Sequence, residues 1–150
     1  MNLEIGIASD HGGKILKDKI ARFLKEHSYS VKDFGVAVDS TASVDYPDYA
    51  STLSSKISSG ELKRGILVCG SGIGMSIAAN KHAGVRAALI TDEYTARMSR
   101  LHNDANVLCL GERVLNHDRA LDIVKAWVET EFEGGRHQSR LDKIRALETK

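Results

Sequence analysis

The run Gly65-Ile66-Leu67-Val68-Cys69-Gly70-Ser71-Gly72-Ile73-Gly74 ends a short apolar stretch on a thiol and follows it with three glycines at alternate positions. Ile66 to Val68 reads as a strand buried on both faces, and Met75 to Asn80 as a helix. In an open α/β sheet, ligands bind outside the carboxyl ends of the strands. Glycines there let backbone N–H groups approach an anion, and a following helix adds its positive end. Such surroundings lower a thiol's pKa and make it a base or nucleophile. Cys69 facing an anionic substrate is therefore the leading candidate, set against the plainer reading of a small buried hydrophobe.

Other side chains compete for a role. Arg113 follows a strand directly and emerges at the same edge. Arg136 and Arg140, four apart, fall about 40° from one another on a helix face. Two such guanidiniums suit a phosphate, because their forks match its oxygens; a solvated basic face is the alternative. Leu141, Ile144 and Leu147 lie on another face and are expected to dock that helix. His102 closes a helix, where it can serve as a dipole partner or carry a proton near neutral pH. His11, beside Gly12 and Gly13, could be an acid, an anion ligand or a turn residue. His27, His82, His117 and His137 have no partner readable from sequence. Cys109 and the stripe Ile123, Trp127, Val128 read as core.

Spacing excludes several sharper motifs. A dinucleotide fingerprint needs Gly-x-Gly-x-x-Gly after the first strand, but here the glycines follow the third and the final position is Met75. The Gly-Lys-Ser/Thr of a phosphate-binding P-loop is absent. A cysteine phosphatase loop would put an arginine where Met75 stands. A receiver domain would want a carboxylate where Cys69 stands. Cys and His show no metal-ligand spacing, so no metal is expected.

Positioning these groups falls to an alternation of strands and helices. Leu3 to Ala8 reads as a first strand, Lys14 to His27 as a helix, and Ser30 to Phe34 as a second strand. A polar connection from Val36 to Tyr46 leads to a helix opened by Pro47 and running to about Ser58. Arg64 to Val68, Val85 to Ile90 and Asn106 to Leu110 are the remaining strands. Their helices span Gly74 to His82, Glu93 to Leu101 with Asp92 as N-cap, and Asp118 to Phe132. Gly134-Gly135 breaks the last of these, and Arg136 starts a polar C-terminal helix. Five strands with helical crossovers imply a doubly wound, Rossmann-like parallel sheet forming one domain over residues 1–150. Its active edge gathers the loops Ser9-Asp10-His11, Cys69 to Gly74 and Gly111-Glu112-Arg113.

The 150 residues are 42% hydrophobic and 27% charged, with net charge +1, which leaves no global field to hold nucleic acid or an anionic membrane. Two cysteines on separate apolar runs suit a reducing compartment. The N-terminus lacks a signal-peptide pattern and no apolar stretch approaches transmembrane length, so the expected setting is the cytoplasm.

Taken together, Ala8-Ser9-Asp10-His11-Gly12-Gly13, Asp45-Tyr46-Pro47-Asp48-Tyr49-Ala50, Cys69 to Ser76, Asn80-Lys81, Arg100 to Val107 and Glu133-Gly134-Gly135-Arg136-His137 closely resemble the type B ribose-5-phosphate isomerases. These belong to a wider family that includes galactose-6-phosphate isomerase subunits. The resemblance implies an aldose–ketose isomerase of the pentose phosphate pathway, needing no cofactor, that interconverts ribose 5-phosphate and ribulose 5-phosphate through an enediolate. It implies Cys69 as the base between C1 and C2, and His102 as the group that opens the furanose ring. One branch of the family carries its base as a glutamate at the position of Met75, so methionine there points to the cysteine branch. Asp10, His11, Asn103 and the loop Gly70, Ser71, Gly72, Ile73, Gly74 resemble substrate contacts, and Arg113, Arg136 and Arg140 a phosphate clamp. Ser71 stands where many relatives have threonine. The resemblance further implies a homodimer, or a dimer of dimers, with His102, Asn103, Arg136 and Arg140 supplied by the chain opposite Cys69 and His11. An allose- or galactose-6-phosphate isomerase and a non-catalytic sugar-phosphate-binding module are the competing readings.

Overall fold

Apolar runs too short for helices and amphipathic stretches too long for strands alternate along this chain, and the computed structural model, which describes residues 3–148, arranges them accordingly. The strands are β1 (Glu4–Ser9), β2 (Ser30–Asp33), β3 (Arg64–Cys69), β4 (Ala87–Leu89) and β5 (Val107–Gly111). The helices are α1 (Lys14–Glu26), α2 (Tyr46–Ser58), α3 (Ile73–Ala79), α4 (Glu93–Leu101), α5 (His117–Glu129) and α6 (Arg136–Ala146). The strands pair in the order β2-β1-β3-β5-β4, every neighbour parallel, as the sequence predicts.

Period-two side chains split the core between the two faces. Ile5, Ile7, Ile66, Val68, Leu108 and Leu110 face α1, α4 and α5, where Leu16, Ile20, Val124 and Trp127 cover them. On the opposite face Ala8, Leu67, Cys69, Val107 and Cys109 pack under α2 and α3, against Leu53, Met75 and Ala79. Both thiols therefore lie on the α2–α3 side of the sheet. The chain leaves β1 toward one edge to make β2 and returns as β3 on the other side of β1, so the β1–β3 boundary is the topological switch point, where such sheets open a crevice.

α3, β4, α5 and α6 differ from the sequence reading, α3 by ending at Ala79 rather than His82. β4 keeps only Ala87–Leu89 because Arg86 N–H donates instead to Asn106 Oδ1 at 2.7 Å, leaving a short edge strand. α5 ends at Glu129 rather than running to Phe132, so Gly134-Gly135 is not what breaks it. Thr130 is already extended (ψ 124°), and the chain beyond is bonded elsewhere: Arg100 Nε donates to Thr130 O at 3.1 Å, and Glu133 N–H to Leu101 O at 3.1 Å. α6 buries Leu141 and His137, leaving Ile144 (43%) and Leu147 (64%) exposed. Thr149 and Lys150, in the expected C-terminal helix, lie outside the described residues. Among those described, no helix is long and apolar enough to cross a membrane.

Candidate functional site

Cys69 is the last residue of β3, at the switch point, and is 5% exposed. The loop after it turns back at Gly72 (φ 79°), whose N–H donates to Cys69 Sγ at 3.2 Å. Only glycine fits there: a Cβ would stand 2.9 Å from the Leu110 carbonyl carbon as well as in a left-handed backbone. Ser71 Oγ accepts from Ile73 N–H at 3.2 Å. Two of the loop's N–H groups thus already have partners, so fewer remain to receive an oxyanion than the run of glycines suggests. Met75 is fully buried in the core beside Cys69.

Neighbouring loops close around the thiol. Asp10, 8% exposed, accepts from Gly12 N–H through Oδ1 at 2.9 Å, which fixes the turn after β1. Arg113 N–H donates to Gly70 O at 3.0 Å, and its guanidinium lies over Gly70, where a Cβ would stand 2.9 Å from Nη1. Glu112 N–H donates to Cys69 O at 2.9 Å, while its carboxylate accepts from Leu16 N–H at 2.6 Å in the first turn of α1. That carboxylate supplies the cap that Gly13 cannot. A cavity of about 540 Å³ opens over this group, with Asp10, Cys69, Ser71 and Arg113 in its wall and Tyr46, Ile73 and Val114 beside them. Tyr46 sits close over Gly74 and was given no role by spacing.

The remaining predicted residues are not in that wall. His11 Nδ1 faces Val44, 3.0 Å from its O and 3.1 Å from its N, in the long connection before α2. His102 caps the carboxyl end of α4. Because α4 runs back from the carboxyl edge of the sheet, His102 and Asn103 lie toward its amino edge, before the start of β5. Gly111 at the end of β5 is level with Cys69, and Val107 to Gly111 rises roughly 13 Å. Arg136 and Arg140 follow α5, which also returns from the carboxyl edge. Asn103 lines a separate groove with Ile144 and Leu147. One chain therefore divides the predicted site in two.

The second half is more ordered than spacing suggests. His102 and His137 stack with ring centroids 4.3 Å apart and planes 17° from parallel. His137 is 3% exposed, and its Nε2, with no hydrogen-bond partner, lies 3.7 Å from Glu133 Oε1. Burial, reinforced by His102, pushes the His137 pKa below the ordinary imidazole value, against the pull of Glu133. Arg100 and Arg64 lie 5.8 and 5.7 Å from the Trp127 ring, and they hold the segment that carries Glu133: Arg100 Nε donates to Thr130 O, and Arg64 Nη2 pairs with Glu131 at 3.5 Å. The sequence reading saw no metal-ligand spacing, yet His102, Glu133 and His137 bring one ligand atom each within 4.8 Å. Nearly parallel stacked rings do not aim their lone pairs at a common point, so the pair as placed is a stack rather than a chelate.

A doubly wound parallel sheet with a thiol and a glycine turn at its switch point defines an α/β protein that handles a small ligand at its strand ends. The model of the Ribose/Galactose Isomerase family matches residues 5–144, and the chain belongs to that family. Ribose-5-phosphate isomerase B of Escherichia coli is 46% identical to it over 97% of this chain and 96% of that protein. Among solved structures, the Clostridium thermocellum ribose-5-phosphate isomerase B superposes with a TM-score of 0.93 at 55% identity, covering 97% of each chain. The Mycoplasma genitalium enzyme, solved with bound ribulose-5-phosphate, gives 0.93 at 42% identity over 100% of this chain and 99% of that one.

Proposed function

We propose that this chain interconverts ribose 5-phosphate and ribulose 5-phosphate, with Cys69 as the base. The observation that carries the reading is the thiol on the cavity floor, paired with Gly72 N–H and walled by Asp10, Ser71 and Arg113. Cys69 takes the proton beside the carbonyl and returns it to the neighbouring carbon. The Gly72 N–H meets the sulfur, and further loop N–H groups receive the enediolate oxygen, each worth ~3–4 kcal/mol in other enzymes. Arg113 meets the phosphate, with Asp10 and His11 at the sugar. This chemistry requires a base, donors and a fixed phosphate, and calls on no cofactor or metal.

His102 opens the furanose ring, and Asn103, Arg136 and Arg140 complete the site from a second copy. The amino-edge position of these four, away from the Cys69 cavity, supports the shared site. So do exposed apolar side chains at the cavity (Ile73, Ile77, Val114) and in the Asn103 groove (Ile144, Leu147), which a second copy would cover. The assembly is a homodimer or a dimer of dimers of one-domain chains. Two free cysteines support a cytoplasmic setting in pentose phosphate interconversion. The test is a direct assay of ketose formation from ribose 5-phosphate beside allose 6-phosphate and galactose 6-phosphate. The expected result is a higher kcat/KM for the five-carbon sugar; a clear six-carbon preference moves the assignment, and turnover of none leaves a binding module.

A further inference from the structure

Resting on the reading of His102 as the ring-opening group, we infer that His137 is its positioning residue, a flat platform that fixes the plane of the His102 imidazole. Proton transfer to a ring oxygen needs the donor nitrogen within hydrogen-bond reach and in line. His102 is half-exposed at a helix end, where rotation about its side-chain bonds is cheap. The stacked face of His137, 4.3 Å away and 17° from parallel, restricts that rotation.

His137 is itself immobilised. It lies in the first turn of α6, with its N–H donating to Gly134 O at 3.2 Å, and is nearly inaccessible. The groups facing it are His102 at the end of α4, Glu133 on the preceding segment, and Arg136 and Arg140 on α6. Burial disfavours charge on His137, as do the neighbouring His102, Arg136 and Arg140, and Glu133 favours it. A neutral ring is the useful platform, because a charged one would repel the imidazolium that His102 becomes when it carries the proton. The platform reaches the substrate only through His102, so its loss should touch ring opening and nothing else.

The test compares His137→Leu, which keeps bulk without an aromatic face, with His137→Phe, which restores a neutral ring. Each is assayed on ribose 5-phosphate and on a four-carbon aldose phosphate that cannot form a furanose. For His137→Leu, kcat on ribose 5-phosphate should fall by on the order of tenfold to a hundredfold, the scale of a misplaced catalytic group. Its turnover of the open-chain substrate should hold, which also shows that the variant is folded. His137→Phe should recover most of the lost kcat. Proton NMR of the unliganded protein should show ring-current shifts on His102 in wild type and His137→Phe but not in His137→Leu. Equal losses on both substrates, no loss on either, or Phe no better than Leu would each overturn the platform. If His102→Asn itself spares the cyclic sugar, the ring-opening reading of His102 fails and takes the platform's function with it, while the ring-current shifts still report the stack.

Discussion

The two thiols occupy the same sheet face on adjacent strands, yet their surroundings differ in the one respect that matters for reactivity. Cys109 is fully buried, and burial, with Cys69 nearby, pushes its pKa far above the ordinary thiol value. It has no route to a substrate. Cys69 shares the apolar floor but meets the cavity and the Gly72 N–H. Cys69→Ala should therefore abolish isomerisation by several orders of magnitude while phosphate-ligand binding persists in calorimetry. Cys109→Ala should keep kcat and lose about 1–2 kcal/mol of stability in urea titration, as a small core cavity does. Essential Cys109 with dispensable Cys69 would sink the assignment of the base. Sequence carried this distinction, because the glycines after Cys69 and the apolar residues around Cys109 are local signals. It did not carry the role of His137, whose partner lies on another helix and whose burial depends on how residues 130–135 are held.

Elements follow the same division between local and distant causes. β1, β3 and β5 are central strands whose apolar runs set their extent, and sequence and structure agree to within a residue or so. Where bonding comes from elsewhere, the reading slips. Arg100 and Leu101 of α4 take up the chain that periodicity assigns to α5, and Asn106 takes the Arg86 N–H expected in the β4 ladder. Gly72 shows how an element's turn serves the site. Gly72→Ala should lose both stability and activity, because its methyl meets the Leu110 backbone and displaces the N–H that faces sulfur. Gly60, at φ 82° with open space around it, isolates the strain alone. Gly60→Ala should cost about 1 kcal/mol with kcat unchanged. Equal and intact activity in the two variants would show that the Gly72 turn does not position the thiol's surroundings.

At the scale of the whole molecule, the placement of α4 and α6 is decisive. Helices that follow parallel strands return to the amino edge of the sheet, so residues at their far ends cannot serve a cavity at the carboxyl edge of the same chain. The sequence resemblance implies one site that takes Cys69 and His102 from opposite chains; the topology sets the two residues at opposite edges of one chain. On the proposed shared site, two copies meet edge against edge, with His102, Arg136 and Arg140 of one beside Cys69 and Arg113 of the other. Each site then draws on both chains, which makes complementation the measurement. Cys69→Ala and His102→Asn chains, each defective alone on ribose 5-phosphate, are mixed under conditions of subunit exchange. In a mixed dimer one site collects both substitutions and is dead twice over. The other receives intact Cys69 from one chain and intact His102 from its partner, and should turn over as in wild type. Arg136→Ala should behave like His102→Asn in this assay, rescued by the Cys69→Ala chain, whereas Arg113→Ala should not be, since it falls in the same half-site as Cys69. Proven exchange with no recovered turnover would leave each site within a single chain, and His102 would need a role at the amino edge instead.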